Sequence, residues 1–257
     1  MSDHERSNAA WAHTLDAAIA LADDFTDADW LAPTECPEWT VKDVYAHLVG
    51  GEIWMSQGHP KPETGLARIA DEPVAVRREV IGASVLAELH DVFALRQQQL
   101  RDAPPDPDAP TFTAYLQPVT VGVLLRMRAF DAWVHEQDIR RVVGRPGNLA
   151  TGGAEVARDI FLLGLGRVVA RAAGAPPGSS VTFSVSGELP FERSISVDEN
   201  RRGVAATVAD PTVRIATDWE TFSRLAAGRI PVPGAAVEVT GDRELADRIL
   251  AHFAVTP

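Results

Sequence analysis

Apolar residues recur at helical spacing through the first half of the chain, and segments rich in proline or glycine interrupt the pattern. The stretches with this spacing predict four helices, at residues 9–24, 40–58, 74–102 and 120–144. Between them, residues 60–73 and the run APPDPDAP contain turn-forming residues and predict loops. Four helices joined by such loops indicate a helical bundle.

The second helix has the clearest start signal. Thr40 can cap the helix with its hydroxyl, and Asp43, three residues later, completes a capping box. Trp39, the residue before the cap, is expected to pack on Val44 as a hydrophobic staple. The sequence therefore predicts that this helix begins at Thr40.

The pattern changes near residues 145–152. A helix is predicted over residues 152–173, and alternation of apolar and polar residues then predicts strands. The predicted strands are SSVTFSVSG, FERSISVD, GVAATVAD, TVRIATD and AAVEVTG, and the predicted helices among them are WETFSRLAAG and DRELADRILAHF. This order indicates a small α+β domain with a mainly antiparallel sheet. We therefore expect an α+β multidomain protein, with a helical bundle over residues 1–148 and the α+β domain over residues 149–257.

Charge and composition exclude several classes of protein. The 257 residues carry a formal net charge of −12, which disfavours binding to nucleic acid or to an anionic membrane surface. No apolar run approaches the roughly 18 residues that a membrane-spanning helix needs, and the polar first residues do not resemble a secretory signal. With Cys36 as its one cysteine, the chain can form no intrachain disulfide. We expect a cytoplasmic protein that is a monomer or a homodimer.

The stretch RMRAFDAWVHEQDIRRVVGRPGN, residues 126–148, carries the main candidate chemistry. Asp131 and His135 are one helical turn apart, so their side chains point the same way. His47 lies between apolar neighbours in the second helix and is expected to face the bundle interior, where metal ligands from facing helices can meet. Two imidazoles and one carboxylate would bind a divalent metal ion and leave one coordination position open for a water or a thiol.

Each of these residues also has a simpler interpretation. An Asp–His pair four residues apart is often a surface ion pair, and a lone histidine in a helix is often a hydrogen-bonded core residue. Asp138 is expected to pair with Arg141 or to support a metal-binding histidine, rather than to bind the metal. Glu136 and Gln137 are expected to face solvent. Cys36, which is followed by proline, is expected to be a structural loop residue.

Two segments, CPEWTVKDVYAHL at 36–48 and FDAWVHEQDIRRVVGRPGN at 130–148, resemble the mycothiol-dependent maleylpyruvate isomerase family. The segments VRIATDWETFSRLAAGR and VEVTGDRELADRIL resemble the C-terminal domain of that family. The resemblance covers nearly the whole chain, with the segments in the same order. It implies a DinB-like metal-binding four-helix bundle followed by a domain related to sterol-carrier proteins.

In that family a divalent metal, typically zinc, is held by a histidine of the second helix and by an acidic residue and a histidine of the fourth. The resemblance places these ligands at His47, Asp131 and His135. Asp131 replaces the glutamate of the characterised isomerase pattern, and Glu38 stands where the family commonly has glycine. Bound zinc would lower the pKa of the thiol of mycothiol, which then attacks a small electrophile and leads to isomerisation or to transfer of the thiol.

The electrophile and the exact function stay open at this stage. An anionic substrate would need an arginine near the metal, and Arg126, Arg128 and Arg229 are candidates. Among the 24 basic residues only Lys42 and Lys61 are lysines, a bias that fits the actinobacteria that make mycothiol. Two alternative functions are a non-catalytic protein that binds a small ligand and keeps a vestigial metal site, and a non-haem iron enzyme with a two-histidine, one-carboxylate triad.

Overall fold

The computed structural model describes residues 1–61, 66–113 and 116–255. The chain forms two compact units, Met1–Asn148 and Leu149–Pro257. The first unit is mainly helical and the second contains a larger sheet, so the predicted fold class, α+β with a helical first part, is confirmed. None of the helices in the described ranges is long and apolar enough to span a lipid bilayer.

Helices make up most of the described part of the first unit. They are α1 (Asp3–Leu21), α2 (Asp27–Leu31), α3 (Val41–Ser56), α4 (Leu66–Val76), α5 (Gly82–Asp102) and α6 (Val121–Val142). An antiparallel pair of short strands, β1 (Pro110–Phe112) and β2 (Pro118–Thr120), precedes α6. The four longest helices form a bundle in which α1 and α3 each contact both α5 and α6.

Local sequence signals fix where two of these helices begin. Thr40 caps α3, because its hydroxyl accepts a hydrogen bond from the backbone N–H of Asp43, and the Asp43 carboxylate accepts one from the backbone N–H of Thr40. The predicted capping box is therefore confirmed. Ser2 and Glu5 form the same arrangement. It satisfies the first backbone donors and starts α1 at Asp3 instead of at the predicted residue 9.

The predicted helix over residues 74–102 is wrong in its first part. The chain forms two helices there, α4 and α5, separated by turns, and α4 begins inside the segment predicted as a loop. Gly82, the first residue of α5, lies against Trp30, since a Cβ atom at Gly82 would lie 2.6 Å from Cε2 of that ring. Periodicity alone does not encode a tertiary contact of this kind. Residues 62–65 of the predicted loop lie outside the described residues.

The second unit contains a five-stranded sheet and helices that pack on it. Its elements are α7 (Gly152–Arg167), a π-helical turn (Val168–Ala172), β3 (Ser180–Ser186), β4 (Phe191–Val197), β5 (Gly203–Ala206), β6 (Val213–Asp218), α8 (Trp219–Ala226), a 3₁₀ turn (Val232–Gly234), β7 (Glu238–Gly241) and α9 (Arg243–Ala251). The strand order is β5-β4-β3-β6-β7, and within it only β3 and β6 run parallel. The predicted mainly antiparallel sheet is therefore confirmed.

The cap at Thr40 can be tested by substitution. We expect Thr40→Ala to lower the free energy of unfolding by about 1 kcal/mol, because the first turn of α3 loses its side-chain acceptor. Thr40→Ser keeps the hydroxyl and serves as the control. Urea unfolding of the two variants measures the difference, and equal stability would contradict the role of the cap.

Candidate metal centre

The three predicted ligands lie together, His47 on α3 and Asp131 and His135 on α6. Nε2 of His47 is 3.2 Å from Oδ2 of Asp131, and Nε2 of His135 is 3.8 Å from Oδ1 of the same carboxylate. One ligand atom of each residue lies within 4.8 Å of the other two. Atoms that bind one zinc ion at about 2 Å stand at comparable separations. The donor set and its spacing therefore fit a divalent metal ion.

Burial and neighbouring charges set the protonation of these ligands. Burial lowers the pKa of His47, which favours a neutral ring with a free lone pair. Burial pushes the pKa of Asp131 up, but the neighbouring His47 and Arg128 outweigh it and hold that pKa well below its usual range. Metal ions bind neutral imidazoles and ionised carboxylates, so both pKa shifts favour the states that ligation requires.

Asp138 orients His135. The Nδ1 atom of His135 lies 3.1 Å from Oδ2 of Asp138, a fully buried carboxylate whose other oxygen is 3.6 Å from Nη1 of Arg141. Both interactions expected for Asp138 from the sequence are thus present. A hydrogen bond from Nδ1–H to a carboxylate leaves Nε2 free to bind a metal, as is usual for metal-binding histidines. The buried Nδ1 of His47, by contrast, has no hydrogen-bond partner among the described residues.

A layer of buried charge lies beside Asp131. Arg128 donates from Nη1 to Oδ2 of Asp131 at 2.7 Å and from Nη2 to Oε1 of Glu52 at 3.0 Å. Glu52 also accepts a hydrogen bond from Nε1 of Trp11 at 3.0 Å, and Nε of Arg96 lies 3.8 Å from its other oxygen. Arg128 was a candidate for binding a substrate carboxylate, but two carboxylates of the protein already occupy its guanidinium. Sequence analysis did not reveal Glu52, Trp11 or Arg96 as parts of the site.

The loop before α3 contributes an aromatic wall. The ring centroid of Trp39 lies 4.9 Å from that of His47 and 5.7 Å from that of His135. The backbone N–H of Thr34 donates to the backbone oxygen of Trp39 at 2.9 Å and closes the loop. Sequence analysis assigned Trp39 only to packing on Val44 and missed its position beside the two imidazoles. Sequence spacing does not predict that the Trp39 ring lies close to histidines of two different helices.

The prediction that Glu136 and Gln137 face solvent is wrong. Both are buried, Glu136 completely. Oε1 of Glu136 accepts hydrogen bonds from Arg140 and Asn148, and the side-chain amide of Gln137 donates to the backbone oxygen of Gly147. Through these hydrogen bonds Glu136 and Gln137 hold the segment after α6 against the helix. Helix α6 is therefore buried on a wider face than one apolar stripe. Burial raises the pKa of Glu136.

Cys36 lies closer to the centre than its predicted role as a structural loop residue implies. A second group of possible metal ligands consists of Cys36, His135 and Asp138. One ligand atom of each lies within 4.8 Å of the other two. Asp138 is fully buried and already engaged with His135 and Arg141. The group that contains Asp131, whose side chain is 30% exposed, is therefore the better candidate for a metal ion.

The fold and the centre define a class of protein, a helical bundle with a two-histidine, one-carboxylate cluster followed by a small α+β domain. Comparison with protein families matches residues 10–140 to the mycothiol maleylpyruvate isomerase N-terminal domain and residues 155–248 to the MDMPI C-terminal domain. The first match alone spans more than half of the chain. The chain therefore belongs to the mycothiol-dependent maleylpyruvate isomerase family, as its motifs predicted.

Two solved structures have the same fold. A crystal structure of mycothiol-dependent maleylpyruvate isomerase superposes with a TM-score of 0.59 at 17% identity, and the match covers 93% of each chain. A histidine-to-alanine mutant of mycothiol-dependent maleylpyruvate isomerase gives a TM-score of 0.60 at 16% identity with the same coverage. A comparison with curated protein sequences found no significant match.

The loop that carries Trp39 contains a strained residue that can be tested. Glu38 has φ of 67°, in the left-handed region that favours glycine. We expect Glu38→Gly to be more stable than Glu38→Ala by about 1 kcal/mol, because alanine keeps the steric cost of this conformation. Thermal or urea unfolding compares the two variants. An alanine variant as stable as the glycine variant would show that the loop is not strained at this position.

Proposed function

We propose that this protein is a metal-dependent enzyme that activates a low-molecular-weight thiol, mycothiol, for addition to a small electrophilic substrate. Isomerisation of the substrate or transfer of the thiol is the outcome. The observation that carries the proposal is the convergence of His47, Asp131 and His135 from two helices, with His47 and Asp131 84 residues apart in the chain. Family membership supports mycothiol as the thiol.

The ligand set supports zinc as the metal. Catalytic zinc sites combine three protein ligands of nitrogen or oxygen with one open position. His47, Asp131 and His135 would supply the three ligands. The same set also suits ferrous iron, so the identity of the metal belongs to the proposal. Asp138 supports His135 in the way that hydrogen-bonded carboxylates support metal-binding histidines in general.

When bound here, a divalent metal would lower the pKa of a thiol in its open position, so that the thiolate is available at neutral pH. The residues of the chain prepare the site for this. Burial lowers the pKa of His47, and the pKa of Asp131 lies well below its usual range. The Trp39 ring lies close to both imidazoles. Because low-molecular-weight thiols are kept reduced inside cells, the proposal places the enzyme in the cytoplasm.

Metal binding is the first test. We expect protein purified without chelator to hold a divalent metal, and we expect His47→Ala and His135→Ala to bind it at least about 100-fold more weakly, because each loses one of three ligands. Elemental analysis and competition with a chelator measure this. His90→Ala is the matched control, because the His90 side chain is 67% exposed and lies beside Asp91. Unchanged metal binding in both site variants would overturn the proposed centre.

Thiol chemistry is the second test. We expect the metal-loaded protein to consume mycothiol or to isomerise a substrate in the presence of small unsaturated carbonyl compounds. We expect no reaction after the metal is chelated, and recovery when zinc is returned. Asp131→Asn should lose most of the activity, because a neutral amide is a poor substitute for the ligating carboxylate. A protein that binds small ligands but turns over no electrophile would favour the non-catalytic alternative, and oxygen consumption with ferrous iron would favour an iron enzyme.

A further inference from the structure

We propose that Arg128 is a positioning residue that restricts Asp131 to one oxygen for the metal ion, and that Glu52 holds Arg128 in place. The inference rests on the proposed function and specifies how its centre is built. It comes from a line of alternating charge that leads from the partly exposed Asp131 to the buried Arg128 and then to the buried Glu52.

The two oxygens of Asp131 have different surroundings. Oδ2 accepts a hydrogen bond from Nη1 of Arg128 at 2.7 Å, a short distance typical of a charge-assisted bond. Oδ2 also lies 3.2 Å from Nε2 of His47, whereas Oδ1 is 3.5 Å from that atom and 3.8 Å from Nε2 of His135. Oδ1 is therefore the oxygen closer to His135 and within 4 Å of both imidazoles, while Oδ2 accepts from the guanidinium. A metal ion between the imidazoles would meet Oδ1 as its third ligand atom.

The guanidinium cannot easily leave this position. The Arg128 side chain is only 10% exposed, and the Glu52 side chain only 1%. Glu52 is itself held by Trp11, which donates from Nε1 to Oε1, and by Arg96 near Oε2. If Arg128 rotated away, the buried Glu52 would lose a charged partner, which is costly, and Asp131 would lose its shortest hydrogen bond. Glu52 therefore holds the guanidinium of Arg128 in contact with Asp131.

The backbone of α3 leaves room for this arrangement. Gly51 lies one helical turn after His47 on the same helix, and a Cβ atom added to it would lie 2.6 Å from the guanidinium carbon of Arg128. Any side chain at this position would push the guanidinium away from Asp131 or Glu52. Helix α3 thus supplies the imidazole of His47 and, at Gly51, also leaves space for the guanidinium that orients Asp131.

Coordination through one oxygen has a chemical consequence. A carboxylate that binds through both oxygens fills two positions around a metal ion, whereas Oδ1 alone fills one. With two imidazoles and one oxygen, positions remain for both a thiol and an oxygen of the substrate. Arg128 would in this way keep open the position that the proposed reaction needs, without touching the substrate.

The test uses two variants that keep the charge of the site. Gly51→Ala keeps every ionisable group but displaces the guanidinium, and alanine favours a helix more than glycine does. Arg128→Lys keeps the positive charge but cannot bridge two carboxylates with a planar fork. Arg145→Gln is the control, because it removes an arginine that pairs with Asp24 and is 44% exposed. Far-UV circular dichroism establishes that each variant is folded.

Two properties of the metal-bound protein are measured without thiol or substrate. We expect both site variants to bind zinc about 10- to 100-fold more weakly in competition with a chelator, the usual range when support of a ligand is lost. We also expect the absorption spectrum of the cobalt-substituted variants to shift towards higher coordination, because Oδ2 becomes free to bind. Arg145→Gln should match the unaltered protein in both readouts. If Gly51→Ala fails to fold, Arg128→Lys decides the question.

The outcomes separate this inference from the proposed function. If the unaltered protein binds metal and the site variants show the same affinity and the same cobalt spectrum, the role of Arg128 is overturned while the metal centre stands. Weaker binding with an unchanged cobalt spectrum also overturns it, since the number of ligand atoms would then not depend on Arg128. If the unaltered protein binds no metal, both the centre and this role fail.

Discussion

The carboxylate of Asp131 is the interaction on which the site depends. It lies between two imidazoles and a guanidinium, and it connects α3 to α6 through His47. The Asp131 side chain is 30% exposed, and the charged and polar partners around it favour its ionised form. The packing that satisfies Asp131 is the same packing that assembles the proposed metal centre.

The polar residues of α6 form a continuous stripe inside the bundle. Arg128, Asp131, His135 and Asp138 are spaced by three, four and three residues, which keeps them on one side of the helix. Apolar residues at these positions would make a simpler core. Here each polar group has a charged or hydrogen-bonding partner instead. A buried stripe of this kind departs from the usual pattern of a bundle helix, and such departures are expected where a site has to be built.

Part of this could be predicted from the sequence. Helical periodicity and strand alternation gave the two-part α+β fold, and the spacing between Asp131 and His135 placed them on one side of a helix. Joining His47 to them rested on its apolar neighbours, which predicted that it faces the bundle interior, and on the resemblance to a family, because no local spacing relates residues 84 positions apart. The contact of Gly82 with Trp30 at the start of α5, and that of Trp39 with the two imidazoles, are tertiary contacts that local patterns do not predict. The partnership of Arg128 with Glu52 is likewise set by the packing of α3 on α6, so periodicity alone leaves it open.

The proposed metal centre can be tested by anomalous diffraction from zinc-soaked crystals, recorded on both sides of the zinc absorption edge. We expect a peak within bonding distance of Nε2 of His47, Nε2 of His135 and Oδ1 of Asp131. A peak bound instead by Cys36, His135 and Asp138, or no peak near these residues, would contradict it.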